Sequence, residues 1–268
     1  MFDPFLDRWK LTRDGDPIRT FSSDLLPVLF EGRPAMLKVA RFEEEVRGGR
    51  LLAWWQGRGA APVLALHGDA LLLERANDDG RLTRLAHEDD DEATRILCDT
   101  AARLHEPRND HPPALTPLRE WFRSLWRAGE RYGGTYRAAL EAAERLIAEP
   151  RDVRPLHGDL HHGNVLSFGE RGWLAIDPKG LIGERSFDYA NIFYNPVPLL
   201  ATNPERFRRR VDVVSERAGL ERERLVQWIL AYGGLSSAWH LEDGDERGAR
   251  LALIVAELAR QNSSSSKR

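Results

Sequence analysis

Short apolar stretches separated by turn residues fill the first third of the chain. Trp9 to Thr12 and Pro17 to Phe21 flank a turn at Arg13-Asp14-Gly15-Asp16. Leu25 to Phe30 and Ala35 to Ala40 flank Glu31-Gly32-Arg33-Pro34, and residues 62–66 and 70–74 flank His67-Gly68-Asp69. Glycine with aspartate or proline between short apolar runs is hairpin punctuation. This third therefore predicts an antiparallel sheet. Residues 43–56 interrupt it with a helical pattern that puts Val46, Leu51, Leu52 and Trp55 on one side.

Beyond residue 90 the period changes. Ala93, Ile96, Leu97, Thr100, Ala101 and Leu104 recur at helical spacing. Asp89 to Glu92 stand at the start of that stripe, where acidic side chains cap free N–H groups and complement the helix dipole. Helical patterns continue through 117–148, a β-rich insert spans 153–177, and helices resume to about residue 260. The serine-rich tail, 262–268, predicts disorder. The expected fold is α+β and two-lobed: a small β-rich lobe over 1–76, a hinge or linker over 77–91, and a helical lobe over 92–261.

Composition narrows the function classes. A net charge of −3 and a pI near 6.3 give no basic footprint for nucleic acid. The N-terminus lacks the basic and apolar regions of a signal peptide, and no apolar run approaches the ~20 residues of a membrane helix. The expectation is a cytoplasmic monomer that binds a small molecule, with no nucleic-acid or membrane partner. Cys98 is the single cysteine, so no intramolecular disulfide can form; its place in the helical stripe reads as an inert core thiol.

The unusual residues sit in the β-rich insert. Leu156-His157-Gly158-Asp159-Leu160-His161-His162-Gly163-Asn164-Val165 crowds polar groups between apolar flanks, and Gly169 to Gly172 turns the chain back towards Asp177. A strand-turn-strand of this length brings Asp177 close to Asn164 and to the loop carrying Asp159. Phosphoryl transfer needs such a set: a carboxylate for the acceptor's proton and oxygen ligands for Mg²⁺. A histidine-metal hydrolase is the competing reading of His157, Asp159, His161 and His162. The order H-x-D-x-H-H departs from the H-x-H-x-D-H arrangement of such enzymes, and the other histidines have no paired spacing. A non-catalytic nucleotide-binding protein is a further alternative, although such proteins usually lose one of these groups.

His157-Gly158-Asp159 with Asn164 five residues after the aspartate resembles the H-G-D-x-x-x-x-N loop of aminoglycoside phosphotransferases, and Ile176-Asp177-Pro178 resembles their metal-binding segment. The blocks Trp173 to Gly180, Gly183 to Arg185 and Phe187 to Asn191 are similar to the streptomycin 6-kinase and hydroxyurea phosphotransferase branch. The resemblance implies a protein-kinase-like fold using ATP and Mg²⁺, with Asp159 as base and Asn164 and Asp177 as metal ligands. It places Lys38 at the phosphates and Glu74 and Ala76 at the adenine hinge. The glutamate partner of Lys38 is to be chosen among Glu43, Glu44 and Glu45, and Glu45 is favoured because it precedes the apolar stripe. No G-x-G-x-x-G is present; Ser22-Ser23-Asp24 is the small polar turn left to cover phosphates.

Two further positions carry expectations. Asp188 is read as a tie for the catalytic loop, and Lys179 as a contact either of phosphate or of a neighbouring carboxylate. The implied acceptor is a hydroxyl of a streptomycin-like aminoglycoside or of hydroxyurea, or alternatively of another metabolite. Trp239, Glu242 and Asp243 form an aromatic and acidic loop suited to a guanidinium. By contrast His67-Gly68-Asp69, with Glu74 five residues on, reads as a hairpin turn with no chemistry.

Overall fold

The computed structural model describes residues 1–78 and 80–264. The first half contains helices α1 (Asp3–Trp9), α2 (Glu43–Trp55), α3 (Arg81–Glu88) and α4 (Asp90–Leu104). Among them run strands β1 (Thr12–Arg13), β2 (Ile18–Arg19), β3 (Ser23–Phe30), β4 (Arg33–Ala40), β5 (Val63–His67) and β6 (Ala70–Glu74). The second half has strands β7 (Thr116–Pro117), β8 (Val153–Leu156), β9 (Val165–Ser167), β10 (Trp173–Ala175) and β11 (Leu181–Glu184). Its helices are α5 (Leu118–Trp121), α6 (Arg123–Tyr132), α7 (Gly134–Ala148), α8 (Ser186–Ala190), α9 (Pro198–Ala201), α10 (Pro204–Ala218), α11 (Arg222–Glu242) and α12 (Glu246–Ser264).

Strands β1 to β6 form one antiparallel sheet ordered β1-β3-β4-β6-β5, with β2 also pairing β3. Period-two alternation decides what each face does. Leu26, Val28, Ala35, Leu37, Val39 and Leu72 are buried on the outer face, with Phe2 and the half-buried Phe5, Leu6 and Trp9 packed against them. Met36 and Lys38 therefore point to the opposite face, towards α2 and the helical lobe. Helix α1 corrects the expectation that Trp9 opens a strand; the strand shrinks to Thr12–Arg13. Pro4 starts that helix, and its apolar residues acquire a partner only once the sheet exists.

The linker expected over 77–91 is also corrected. It holds α3, which buries Leu82 and Ala86, and the beginning of α4. Asp89 caps α4 by accepting the Glu92 N–H at 3.0 Å. Cys98 is buried in that helix, where desolvation pushes its thiol up to about 12. Helix α11 runs through the middle of the helical lobe, with buried apolar residues from Leu225 to Ala238 around its circumference. The expected disordered tail starts inside α12, because Asn262 to Ser264 are helical; residues 265–268 lie outside the described residues. No helix among the described residues is long and apolar enough to cross a membrane.

Two backbone ladders carry the insert. Strands β9 and β10 pair antiparallel, and β8 pairs antiparallel with β11. The segment after α2 joins the first of them: Ala61 N–H donates to the Ala175 carbonyl at 2.8 Å, and Ala175 N–H donates to Gly59 at 2.9 Å. The first lobe is thus hydrogen-bonded to the strand that ends just before Asp177.

Candidate active site

The loop between β8 and β9 hangs on one buried carboxylate. Asp188, at the start of α8 and 1% exposed, accepts the backbone N–H of His157 at 2.8 Å and of Gly158 at 2.7 Å. It also accepts Nε2–H of His105 at 2.8 Å. His157 Nε2 lies 2.8 Å from the Ile176 carbonyl, and its Nδ1 accepts the Asp159 N–H at 3.2 Å. An acceptor on one side and a donor on the other require the neutral Nε2–H tautomer. Burial favours that form, holding the imidazole below its ordinary pKa although Asp188 and Asp159 pull the other way.

Lys179 N–H donates to the His157 carbonyl at 2.7 Å, and Ile176 N–H donates to that of Asn164 at 2.9 Å. These bonds draw the segment after β10 across the loop, so that Asp159, Asn164 and Asp177 converge. The Asp159 carboxylate is held on both oxygens. Asn164 Nδ2 donates to Oδ2 at 3.2 Å and also to the Asp159 carbonyl at 2.9 Å. Asn191 Nδ2 donates to Oδ1 at 2.8 Å. The sequence reading gave Asn191 no role; its spacing three residues after Asp188, at the end of the same short helix, is the signal that could have found it.

Lys38, projecting inward from β4, bonds to both Glu45 and Asp177. Among the three candidate glutamates, Glu45 is the partner. It is 4% exposed, its Oε2 also accepts the Ser23 hydroxyl at 3.3 Å, and its Oε1 accepts Lys179 Nζ at 3.0 Å. Glu43 lies out beside Arg50, and Glu44 stands 3.6 Å from Lys179. Asp177 adopts a left-handed backbone at φ 61°, a region that non-glycine residues rarely occupy. Burial would raise its carboxyl, but the ammonium groups of Lys38 and Lys179 override that and hold it at about 2.

Close approach of α2 makes this cluster possible. A Cβ on Gly48 would penetrate the carbonyl oxygen of Pro178, a backbone atom that cannot swing aside. Glycine at that point is what allows Glu45, one turn earlier, to reach the segment carrying Asp177.

Two cavities flank these charges. The first, about 410 Å³, is a slot with Met36, Leu52, Leu73 and Leu166 in its walls; Glu74 and Ala76 line it, as do Ser22, Ser23, Lys38 and Asp177. The second, about 740 Å³, is a polar cleft lined by Asp159, Lys179, Glu44, Trp121, Trp239 and Asp243. Glu242 is engaged outside this lining, accepting from Ser124 at 2.8 Å and Arg127 at 2.7 Å. Trp121, absent from the sequence reading, meets Trp239 edge to face with ring centres 5.4 Å apart.

The histidines form no metal centre. No cluster of three or more histidine, cysteine or acidic groups with metal-binding geometry occurs among the described residues. His157 is tied to backbone, His161 Nδ1 accepts the Gly163 N–H at 3.0 Å, and His162 is buried, where desolvation holds it well below its usual pKa.

Residues 8–244 match the family model described as aminoglycoside/hydroxyurea antibiotic resistance kinase. The chain is 53% identical to the streptomycin 3''-kinase of Klebsiella pneumoniae over 94% of its own length and 96% of that protein's. It is 34% identical to the streptomycin 6-kinase of Streptomyces griseus, covering 94% and 86% respectively. Among solved structures it resembles a thermostable mutant of aminoglycoside phosphotransferase APH(4)-Ia in ternary complex with AMP-PNP and hygromycin B. That match has a TM-score of 0.66 at 14% identity and covers 97% of this chain and 98% of that one. At that identity the likeness is one of fold, a kinase-like pair of lobes.

Proposed function

The chain belongs to the aminoglycoside/hydroxyurea antibiotic resistance kinase family, and on that premise we propose that it transfers the γ-phosphoryl group of ATP to the 3''-hydroxyl of streptomycin. The carrying observation is one bonded cluster of charges with a cavity on each side, Lys38 and Asp177 lining the slot and Lys179 lining the cleft with Asp159. In this reading adenine occupies the apolar slot beside Glu74 and Ala76, and Lys38 faces the phosphates. The turn at Ser22 and Ser23 lies over them.

Asn164 and Asp177 fit a Mg²⁺ ion. Mg²⁺ is usually held by one or two protein oxygens together with substrate phosphates. Asp177 is ionised, and Asn164 directs its amide nitrogen at Asp159, leaving its side-chain oxygen as the free end. When bound, the ion offsets charge on the β- and γ-phosphates. Asp159 orients the acceptor hydroxyl and takes its proton. The Pγ–O bond to the β-phosphate breaks, its electron pair staying on ADP, as the acceptor oxygen bonds to phosphorus. Rate enhancement then comes from positioning and from charges fixed in advance.

The acceptor is supported by the 53% identity to a streptomycin 3''-kinase and by the cleft itself. A volume of about 740 Å³ lies in the range of drug-sized ligands and far exceeds what hydroxyurea would fill. The Trp121–Trp239 corner beside Asp243 suits a guanidinium, by cation–π attraction on the rings and charge-assisted bonds to the carboxylate. Mg²⁺-dependent ADP release should rise on adding streptomycin, and not with hydroxyurea or without acceptor. Phosphorus NMR of the product should place the phosphate on the 3'' carbon. Phosphate at the 6 position, or stimulation by hydroxyurea alone, would overturn the assignment.

A further inference from the structure

We propose that Lys179 is a catalytic residue, whose ammonium holds the phosphoryl group while it passes from ATP to the acceptor. The inference rests on the reading of Asp159 as base and of the slot as the ATP site. Its ground is a division of labour around Glu45. That carboxylate takes Lys38 on one oxygen and Lys179 on the other, at 3.0 Å for Lys179. Lys38 lines the slot, whereas Lys179 lines the cleft together with Asp159. Each cavity thus has its own lysine, and both lysines bond Glu45.

The position of Lys179 is fixed from several directions. Its backbone N–H donates to His157 at 2.7 Å. Its Cβ lies 3.2 Å from where a side chain on Gly158 would begin, so the stem passes directly beside the residue before Asp159. Its Nζ is 4.0 Å from Asp177 Oδ2 and 3.6 Å from Glu44. The ammonium stands between the carboxylate assigned to the metal and the cleft that contains the base. Of the other cations lining the cleft, Arg123 pairs with Glu120 and Arg127 with Glu242, and the Arg47 stem packs against Gly180. His161, two residues after the base, uses Nδ1 to accept the Gly163 N–H, and its Nε2 stands 3.8 Å from Asp159 Oδ1.

A structural counter-ion would be sufficient reason for one lysine at Glu45, and Lys38 meets it. The second lysine faces the path that negative charge must take. During transfer Lys179 keeps its proton and exchanges the Glu45 oxygen for oxygens of the phosphoryl group. The acceptor's proton goes to Asp159, and the bridging electron pair goes to ADP.

The test compares Mg²⁺·AMP-PNP with Mg²⁺·ADP binding by calorimetry, which needs no acceptor. Lys179→Met should weaken AMP-PNP by about tenfold or more, as expected for a lost charge-assisted bond, and leave ADP within about threefold. Turnover should fall about 100-fold, and Lys179→Arg should restore part of both effects. If the Met variant melts early, Lys179→Gln carries the same comparison. Equal weakening of the two nucleotides would mark a merely structural lysine and overturn the proposal, as would unchanged affinity with intact turnover. Asp159→Ala separates the two readings, since it should lose turnover and retain the AMP-PNP to ADP affinity ratio.

Discussion

Replacing Asp159 with alanine should lower turnover by about 10²–10⁴-fold while nucleotide affinity stays within about threefold. The separation follows from location. Asp159 lines the cleft and is absent from the slot, and its carboxylate is held by the amides of Asn164 and Asn191 rather than by the lysines. Both asparagines donate to it, leaving it an acceptor already aimed before a hydroxyl arrives. Asp159→Asn tests the same point with the shape preserved. It puts an amide where a proton must be received, and its turnover should be as low as that of the alanine variant. Steady-state kinetics and calorimetry on the same preparations decide the matter; near-normal turnover in either variant would remove Asp159 as the base.

Asp188→Ala should unfold the enzyme at markedly lower urea, a loss of about 3–5 kcal/mol, and abolish turnover as well. The carboxylate is buried and accepts from His157 N–H, Gly158 N–H and His105 Nε2–H. Removing it leaves these donors facing one another in a site with no replacement acceptor. A surface aspartate would cost a few tenths of a kcal/mol at most. Asp188→Asn should be intermediate, since one oxygen remains and the new N–H₂ confronts a donor. Retention of wild-type stability by the alanine variant would mean that the loop is held by something other than this carboxylate.

Much of this was legible in the sequence because the chemistry is local. Asp159, Asn164 and Asp177 lie within nineteen positions of one another and are brought together by one hairpin. The alternation along β4 likewise determines which way Lys38 points. What local pattern did not reveal depends on neighbours supplied by other parts of the chain. Helix α1 exposes its polar residues and packs Phe5, Leu6 and Trp9 on a sheet that forms later in the sequence, so the local pattern does not show the helix and Trp9 to Thr12 resembles a strand. Helix α3 shows only Leu82 and Ala86 as a buried stripe and was taken for linker. Glu45 could be preferred over its neighbours but not fixed, because only the approach of α2 through Gly48 decides which glutamate meets Lys38. Asn191 lies 32 positions from Asp159, with its spacing from Asp188 as the one local hint, and Trp121 lies 38 positions away, where no periodicity in one segment reports a shared cavity.

The bonds that join Gly59 and Ala61 to Ala175 bear on how the products leave. They tie the segment following α2 to the strand before Asp177, alongside the bridge that Lys38 makes between Glu45 and Asp177. On the proposed assignment ADP leaves from the slot and the phosphorylated acceptor from the cleft, two cavities with no lining residue in common among the described residues. If the two products leave independently of one another, product-inhibition kinetics should be random rather than ordered.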